Sequence, residues 1–446
     1  MFDFFSFSHG FSHGVHPPHH KEQTEDLSIQ RVPFVGRYIM PLGQHIGLAA
    51  SAVVSVGDQV QRGQLIAQAN GFISTALHSP VTGRINDIGM RRYVDGSFKE
   101  AIEITADPYA TQQFKRLSEP LDVHHLAIED FIDSVQQSGI VGMGGAAFPS
   151  HVKYSIPEGQ RIDDLLVNGA ECEPYLTNDH RLMVERPETV LRGCEILRQQ
   201  LGAKRVVIGV EKNKPESIQT LQHFLNDEMP IDIVPLEVKY PQGAEKMLIK
   251  SIYNKELPIG KLPRDIGIAV NNVGTIVALA DYFDQGMPLI ERIVTLAGSG
   301  IAEPANLIVP IGTPIRDVLE FVGGLKEHTR EVIMGGPMMG TPIADLDAPI
   351  LKGTSGILAF TKNETARPKE YPCIRCSRCL EACPYFLNPS RLALLGKARL
   401  FSDMQEKYHL MDCVECGACT YACPSNIPIV QHIRTAKDNL RKLSKH

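Results

Sequence analysis

The chain has 446 residues, of which 43% are hydrophobic and 22% charged, with ten cysteines and a formal net charge of −6. A single hydrophobic core stops growing at roughly 250–300 residues, so several domains are expected, and this composition excludes wholesale disorder. The mild negative charge gives no footprint of a nucleic-acid binder, and no apolar run reaches the roughly 18 residues of a membrane-spanning helix.

Residues 1–30 hold His9, His13, His16, His19 and His20 around two consecutive prolines. They read as an irregular arm whose imidazoles share no helical or strand spacing, so packing is favoured over metal binding. The arm has no basic n-region, continuous apolar segment or small-residue cleavage site, and a cytosolic location is expected. There, reduced thiols serve metal or redox cofactors rather than disulfides.

Residues 31–115 change to short alternating runs punctuated by "VGD", "QRG" and "SPVTG", the pattern of a compact β unit. The order of turns resembles the barrel-sandwich hybrid of biotinyl and lipoyl carriers. Such carriers need an exposed lysine, and none occurs between Gly63 and Arg84, so a docking or structural role is expected.

Residues 116–291 read as α/β. Helical "AIEDFIDSVQQSG", "RPETVLRGCEILRQQLG", "KPESIQTLQHFLNDE" and "GAEKMLIKSIY" alternate with strand-like "DLLVNGA", "KRVVIGVE", "IDIVPLEV" and "IGIAVNN". This alternation predicts a largely parallel, helix-covered sheet with ligands beyond the carboxyl ends of its strands. Residues 292–360 form a smaller, strand-rich unit with one helix near Ile315 to Val322, and residues 361–446 carry the cysteines and end in an amphipathic basic helix. That basic face is read as solvated surface first and as an anionic contact second.

"CIRCSRCLEACP" from Cys373 and "CVECGACTYACP" from Cys413 share the spacing C-x2-C-x2-C-x3-C-P. Three thiolates on a short loop hold three corners of a 4Fe-4S cubane, and in two-cluster ferredoxins the fourth cysteine ligates the other cluster. The expected sets are Cys373, Cys376, Cys379 and Cys423 for one cluster, and Cys413, Cys416, Cys419 and Cys383 for the second. Zinc is the competing reading, which the third evenly spaced cysteine and the repeated proline fit poorly.

"GIVGMGGAAFPSHVK" supplies Gly142, Gly144 and Gly145, whose backbone amides can approach a phosphate or flavin edge, with Lys153 adding charge. It lacks the GK[ST] of a phosphate-binding P-loop and has no obvious preceding strand. "NGAECEPYLTNDHR" places Asn168, Glu171 and Glu173 after a predicted strand, and "NNVGT" ends another at a helix N-terminus suited to phosphate. Structural turns and solvated carboxylates remain the bland alternative for these loops.

Taken in order, "GMGGAAFPSHVK", "NGAECEP", "YPQGAEKML" and "NNVGT" ahead of twin ferredoxin motifs closely resemble the RnfC/RsxC family, whose members belong to ion-translocating Rnf/Rsx electron transport complexes. That family is similar in its core to the flavoprotein subunit of respiratory NADH:quinone oxidoreductase. The resemblance implies an α/β multidomain architecture: a barrel-sandwich hybrid, a Rossmann-like FMN domain, a β-grasp domain of the soluble-ligand-binding (SLBB) type, and an α-helical ferredoxin-like domain. Carried over by position, it assigns Gly142, Gly144, Gly145, Lys153, Asn168, Tyr240, Gly243, Asn271, Asn272 and Thr275 to FMN. Phe148 matches an aromatic that stacks on the NADH adenine, and Glu173 and Glu245 match carboxylates near the nucleotide. Met143 stands where the respiratory family has Arg, Ala147 where it has Gly, Ala170 where it has Asp, and Ala244 where it has Glu. The long C-terminal extension of some family members is absent. Cys172 is placed to line the flavin site, and Cys194 reads as core.

The resemblance further implies a peripheral protein on the cytoplasmic side of a bacterial inner membrane, bound to integral membrane subunits and an iron–sulfur subunit. It would exchange electrons between NADH/NAD+ and ferredoxin-type carriers, coupled to sodium or proton movement. Nicotinamide gives two electrons as hydride and clusters accept one at a time, so a flavin between them fits the arrangement. The rival readings are a cluster-only electron relay without a nucleotide site and a zinc-stabilised scaffold.

Overall fold

The computed structural model describes residues 9–117, 121–365 and 368–443; the start of the expected arm and the last three residues of the tail lie outside the described residues. In the α/β region, Leu165 to Val167 and Val206 to Ile208 are apolar and buried at successive positions, the pattern of strands covered on both faces. They belong to a parallel sheet of order Ile231–Leu236, Arg205–Glu211, Asp164–Gly169, Ile268–Asn272. Leu165 and Val167 join the core on one face, and Leu166 joins a separate cluster with Leu248, Ile249 and Ile252 on the other.

Helices Pro187–Gln200 and Val273–Gln285 pack together over the first face. The former buries Val190, Leu191, Cys194 and Leu197 at helical spacing, so Cys194 belongs to the core. The strand order reverses between Asp164–Gly169 and Ile268–Asn272, and there Asn168 lies opposite Asn272 and Val167 opposite Asn271. Such a switch point opens a crevice at the carboxyl edge of the sheet.

Two small antiparallel sheets form the N-terminal β unit: Arg37–Pro41, Phe98–Ala106, Gly83–Arg92 and Gln59–Val60, and Ser51–Ala52, Leu65–Gln68 and Leu77–His78. The connection after Leu65–Gln68 is docked on the α/β region. Gln136 Nε2 donates to Gly71 O and Ser74 O at 3.1 Å each, and His151 Nε2 donates to Phe72 O at 2.7 Å.

The six-stranded β-grasp sheet runs Ile29–Arg31, Ala305–Pro310, Glu291–Ala297, Gly356–Thr361, Thr329–Met334, Thr341–Pro342, with helix Ile315–Phe321 burying Ile315, Val318 and Leu319. Its first strand comes from the N-terminal segment, so the chain start is stitched into a domain far along the sequence, with Ile29 paired to Asn306. Lys352 ties three units together: its buried Nζ donates to Ala76 O and Gly139 O at 2.6 Å each. In the cysteine region, short helices Arg378–Glu381 and Ala418–Tyr421 lead to helices Pro389–Lys397 and Ile429–Leu443. Leu392, Met404, Leu410, Ile429 and Ile433 form their common core. Among the described residues no helix is long and apolar enough to cross a membrane.

The arm is ordered by partners rather than by internal structure. Val15 and Tyr240 exchange two backbone bonds of 2.9 Å. His13 Nδ1 donates to Cys383 O at 3.1 Å, His16 Nδ1 donates to Val238 O at 3.0 Å, and His20 stacks on Tyr175. These imidazoles go to separate partners, as a packing role requires.

Candidate functional site

The glycine loop follows helix Ile128–Ser138, without a preceding strand, and enters short helix Ser150–Tyr154. Gly142 N donates to Phe148 O at 2.7 Å and closes the loop; Gly144 and Gly145 stay exposed at its tip, and Phe148 is half-buried. Ala147 has φ 49, in the left-handed region that favours glycine, which gives a physical reason for the glycine that the respiratory family carries at this position. Met143 N donates to Thr275 Oγ1 at 3.0 Å, anchoring the loop to the first turn of helix Val273–Gln285. Asn272 caps that helix by accepting from Gly274 N at 2.8 Å, and its Nδ2 donates to Asp179 Oδ2 at 2.6 Å. The helix N-terminus and the loop therefore present backbone donors to one crevice.

Lys153 Nζ reaches Glu245 Oε1 and Val270 O, both at 3.1 Å, and Tyr154 OH donates to Asn271 Oδ1 at 2.9 Å. Asn168 Nδ2 donates to Gly243 O at 2.9 Å, while Gly243 N donates to Cys172 Sγ at 3.3 Å. A Cβ on Gly243 would lie 2.6 Å from Ala170 O, so the close approach of these two loops requires glycine.

Of the residues expected from sequence, Gly142, Gly144, Gly145, Lys153, Asn168, Gly243, Glu245, Asn271, Asn272 and Thr275 converge on the switch-point edge. Glu171 turns away into a buried pairing: its Oε1 accepts from Asp179 N at 2.8 Å, and its Oε2 lies 3.9 Å from Lys21 Nζ. Lys21 also donates to the carbonyls of Glu171, Glu173 and Leu176, pinning the acidic loop from the N-terminal arm. Burial lowers the Lys21 amine, and burial followed by the Glu171 carboxylate raises Asp179. Glu173 faces the β-grasp domain instead. Its carboxylate accepts from Met338 N and Met339 N at 3.0 Å each, yet burial still pushes it up to about 7.

Four buried polar side chains at or beside the crevice have atoms with no partner among the described residues: Asn271 Nδ2, Gln242 Nε2 and Oε1, Arg292 Nη2 and Asn178 Oδ1. Buried polar atoms are ordinarily satisfied, so orphaned donors beside exposed loop amides fit a ligand rich in acceptor oxygens. Sequence reasoning passed over four members of this environment. Asp179 lay within a quoted motif; Lys21, Gln242 and Arg292 carry no local signal, because each acts on residues distant in sequence.

In the cysteine region, Cys383, Cys413, Cys416 and Cys419 line one cavity with Tyr385, Val414 and Ile433. Burial, then the nearby Cys416, Cys413 and Cys383, push the Cys419 thiol upward; burial, then Cys423, Cys373 and Cys376, do the same for Cys379. The thiols thus fall into two groups of four, each taking its fourth member from the other sequence block. Four neighbouring buried thiols resist joint ionisation unless a metal supplies positive charge, so the donor set fits an iron–sulfur cluster. The second group adjoins the crevice: Tyr240 OH donates to Cys416 O at 2.7 Å, and Tyr240, Ala382 and Ala418 pack with Cys172, Met338 and Cys416.

Comparison with known proteins matches the chain in four stretches. They are the RnfC barrel-sandwich hybrid domain over residues 9–109, the Nuo51 FMN-binding domain over 135–281, the SLBB domain over 293–342, and the 4Fe-4S dicluster domain over 372–427. The RnfC-type component of a proton-translocating ferredoxin:NAD(+) oxidoreductase complex from Clostridium ljungdahlii is 42% identical, covering 97% of this chain and 94% of the relative. The chain belongs to the RnfC family. The corresponding component of an ion-translocating oxidoreductase complex from Rhodobacter capsulatus is 41% identical over 97% of this chain and 84% of its own length. That of a Na(+)-translocating ferredoxin:NAD(+) oxidoreductase complex from Acetobacterium woodii is 38% identical over 96% and 97%. A crystal structure of an NAD+-reducing NiFe-hydrogenase in the H2-reduced state shares the fold, with TM-score 0.50 and 18% identity over 70% of this chain and 62% of that one. As an RnfC-family member, the chain is a redox component of an electron-transport complex with further subunits, and its cofactors are FMN and iron–sulfur clusters.

Proposed function

We propose that this RnfC-family protein is the nucleotide-facing, peripheral member of a membrane-bound, ion-translocating complex, placed on the cytoplasmic side of the inner membrane, which exchanges electrons between NADH/NAD+ and ferredoxin-type carriers. The observation that carries the reading is the direct junction between crevice and cysteines, Tyr240 OH to Cys416 O at 2.7 Å. A crevice for FMN and a thiol cage meet in one chain, without a gap for an additional carrier. The printed names of the Clostridium and Acetobacterium relatives support the substrates and the ion coupling.

Bound FMN supplies the exchange between a two-electron hydride donor and one-electron acceptors. The chain's residues position and insulate that exchange. The amides of Gly142, Gly144 and Gly145, with Asn271, Asn272 and Thr275, would hold the flavin's phosphate-bearing side chain and ring edge. Asn168, Gly243 and Tyr240 would close the side toward the cysteines, while Phe148, Glu173 and Glu245 would flank the nicotinamide nucleotide. Lys153, paired with Glu245, keeps that acid from facing a dinucleotide phosphate uncompensated. The inner thiols Cys383, Cys413, Cys416 and Cys419 would bind the cluster next to the flavin, and Cys373, Cys376, Cys379 and Cys423 the outer one. In domain terms the work divides over 31–115 for docking, 116–291 for flavin, 292–360 for closure over the flavin loop, and 361–446 for the wire, with 1–30 as a strap.

Anaerobic NADH titration of the purified, cluster-reconstituted protein tests this, after iron and flavin content are measured. Flavin bleaching followed by EPR signals from two interacting clusters is expected. Full iron and flavin occupancy with neither reduced by NADH would leave the chain a relay fed by its partners and sink the nucleotide-facing reading.

A further inference from the structure

Arg292 is the second residue of the β-grasp strand Glu291–Ala297, yet its side chain points back into the flavin domain and is 5% exposed. Its Nε donates to Thr354 O at 3.1 Å, its Nη1 contacts Met143 Sδ in the glycine loop, and its Nη2 has no hydrogen-bond partner. A Cβ on Gly274 would lie 3.6 Å from Nη1, so the guanidinium sits against the first turn of helix Val273–Gln285. The acid that faces it is Asp179, itself held by Asn272 Nδ2 and Asn178 Nδ2 and adjoining Glu171 and Lys214.

A buried guanidinium with a bare nitrogen is costly unless something anionic completes it. Here it converges with a 13-residue helix whose N-terminal amides carry partial positive charge and with exposed glycine amides, three independent elements of one anion site. Asp179 is too engaged with two asparagine amides to neutralise it alone. The position also explains Met143: where the respiratory family has an arginine on the glycine loop, this chain has an apolar thioether, and a guanidinium from another domain lies against its sulfur.

We propose that Arg292 is the cationic partner of the FMN phosphate, so that the β-grasp domain supplies a flavin-binding residue across the domain boundary and selects phosphorylated flavin over riboflavin. The guanidinium can give the phosphate the charge-assisted donor that the loop lost at Met143. The inference rests on FMN occupying the switch-point crevice.

The test uses the full chain with clusters reconstituted and flavin removed. FMN and riboflavin affinities are measured by fluorescence quenching for wild type, Arg292→Lys and Arg292→Met, with thermal unfolding of each variant as a control. Loss of one charged hydrogen bond corresponds to about tenfold or more in Kd. Arg292→Met should therefore weaken FMN by that factor with riboflavin nearly unchanged, and Arg292→Lys should recover part of the loss. Equal weakening of both flavins would make Arg292 a structural clip to Thr354, and unchanged FMN affinity would place the phosphate elsewhere; either overturns the proposal. Should the variants not fold, 31P NMR of FMN on the wild-type protein decides. A phosphate beside Arg292 stays dianionic well below its usual second pKa of about 6, and a phosphate titrating as in free FMN overturns the assignment. Failure of both flavins to bind wild type would instead overturn the crevice reading itself.

Discussion

The two cysteine blocks have the same spacing and the same backbone, and they live in opposite environments. Arg375 and Glu415 share left-handed φ values of 56 and 60, Ser377 and Gly417 of 63 and 82, and Phe386 and Asn426 of 53 and 55, each pair forty positions apart. Around the first block, Ile374 is 67% exposed, and Cys376, Arg375 and Arg378 are exposed. The second block is walled in. Glu415 pairs with Arg434 and Lys437 of the terminal helix, Lys437 donates to Cys413 O, and Tyr240 donates to Cys416 O. The residue in the shared left-handed turn records the difference. A Cβ at Gly417 would sit 2.9 Å from Met338 O, whereas Ser377 carries its side chain in the same conformation because it faces solvent. A repeat thus yields two like cages, and the packing of the rest of the chain encloses one and leaves the other open.

The comparison breaks most visibly by removing one cage at a time. Cys416→Ser should abolish NADH-driven reduction of the outer cluster, read by EPR, while Cys376→Ser should leave the inner cluster reducible and alter only the outer signal. Equal effects would mean the two are not in series. The exchange of fourth ligands gives a sharper version: Cys383→Ser should reproduce the EPR change of Cys413→Ser rather than that of Cys373→Ser, although Cys383 stands in the first block.

Smaller effects test the docking. Gly417→Ser should destabilise by about 1–3 kcal/mol through overpacking against Met338, whereas Ser377→Gly should cost at most about 1 kcal/mol; urea denaturation compares them. Tyr240→Phe removes one hydrogen bond worth about 0.5–1.5 kcal/mol and should shift the inner cluster's reduction midpoint while leaving the outer one in place. An unmoved inner midpoint would show that the Tyr240 bond to Cys416 carries no influence on that cluster.

The N-terminal segment teaches the same lesson from the other side. Its histidines are conspicuous in sequence but disperse to separate carbonyls and rings, while Lys21, which nothing in its neighbourhood singles out, holds three carbonyls of the acidic loop. Likewise the "AECEP" carboxylates look equivalent, yet Glu171 is buried against Asp179 and Lys21, and Glu173 crosses to the β-grasp backbone. No periodicity separates them, because the deciding partners lie far away in the chain.

Chain-local physics could be read in advance. Runs of apolar residues set the four parallel strands, proline and glycine marked the bounds of their helices, and thiol spacing defined two cages with exchanged corners, since each depends on contacts within a few residues or on a repeated loop. What required the folded molecule was every choice made across distance: which cage faces the flavin crevice, through a contact 176 residues apart in sequence, and which guanidinium lies over the glycine loop, 149 residues away. Those choices rest on shape complementarity and burial between whole domains, and a side chain's reach across such an interface leaves no trace in the spacing of its neighbours.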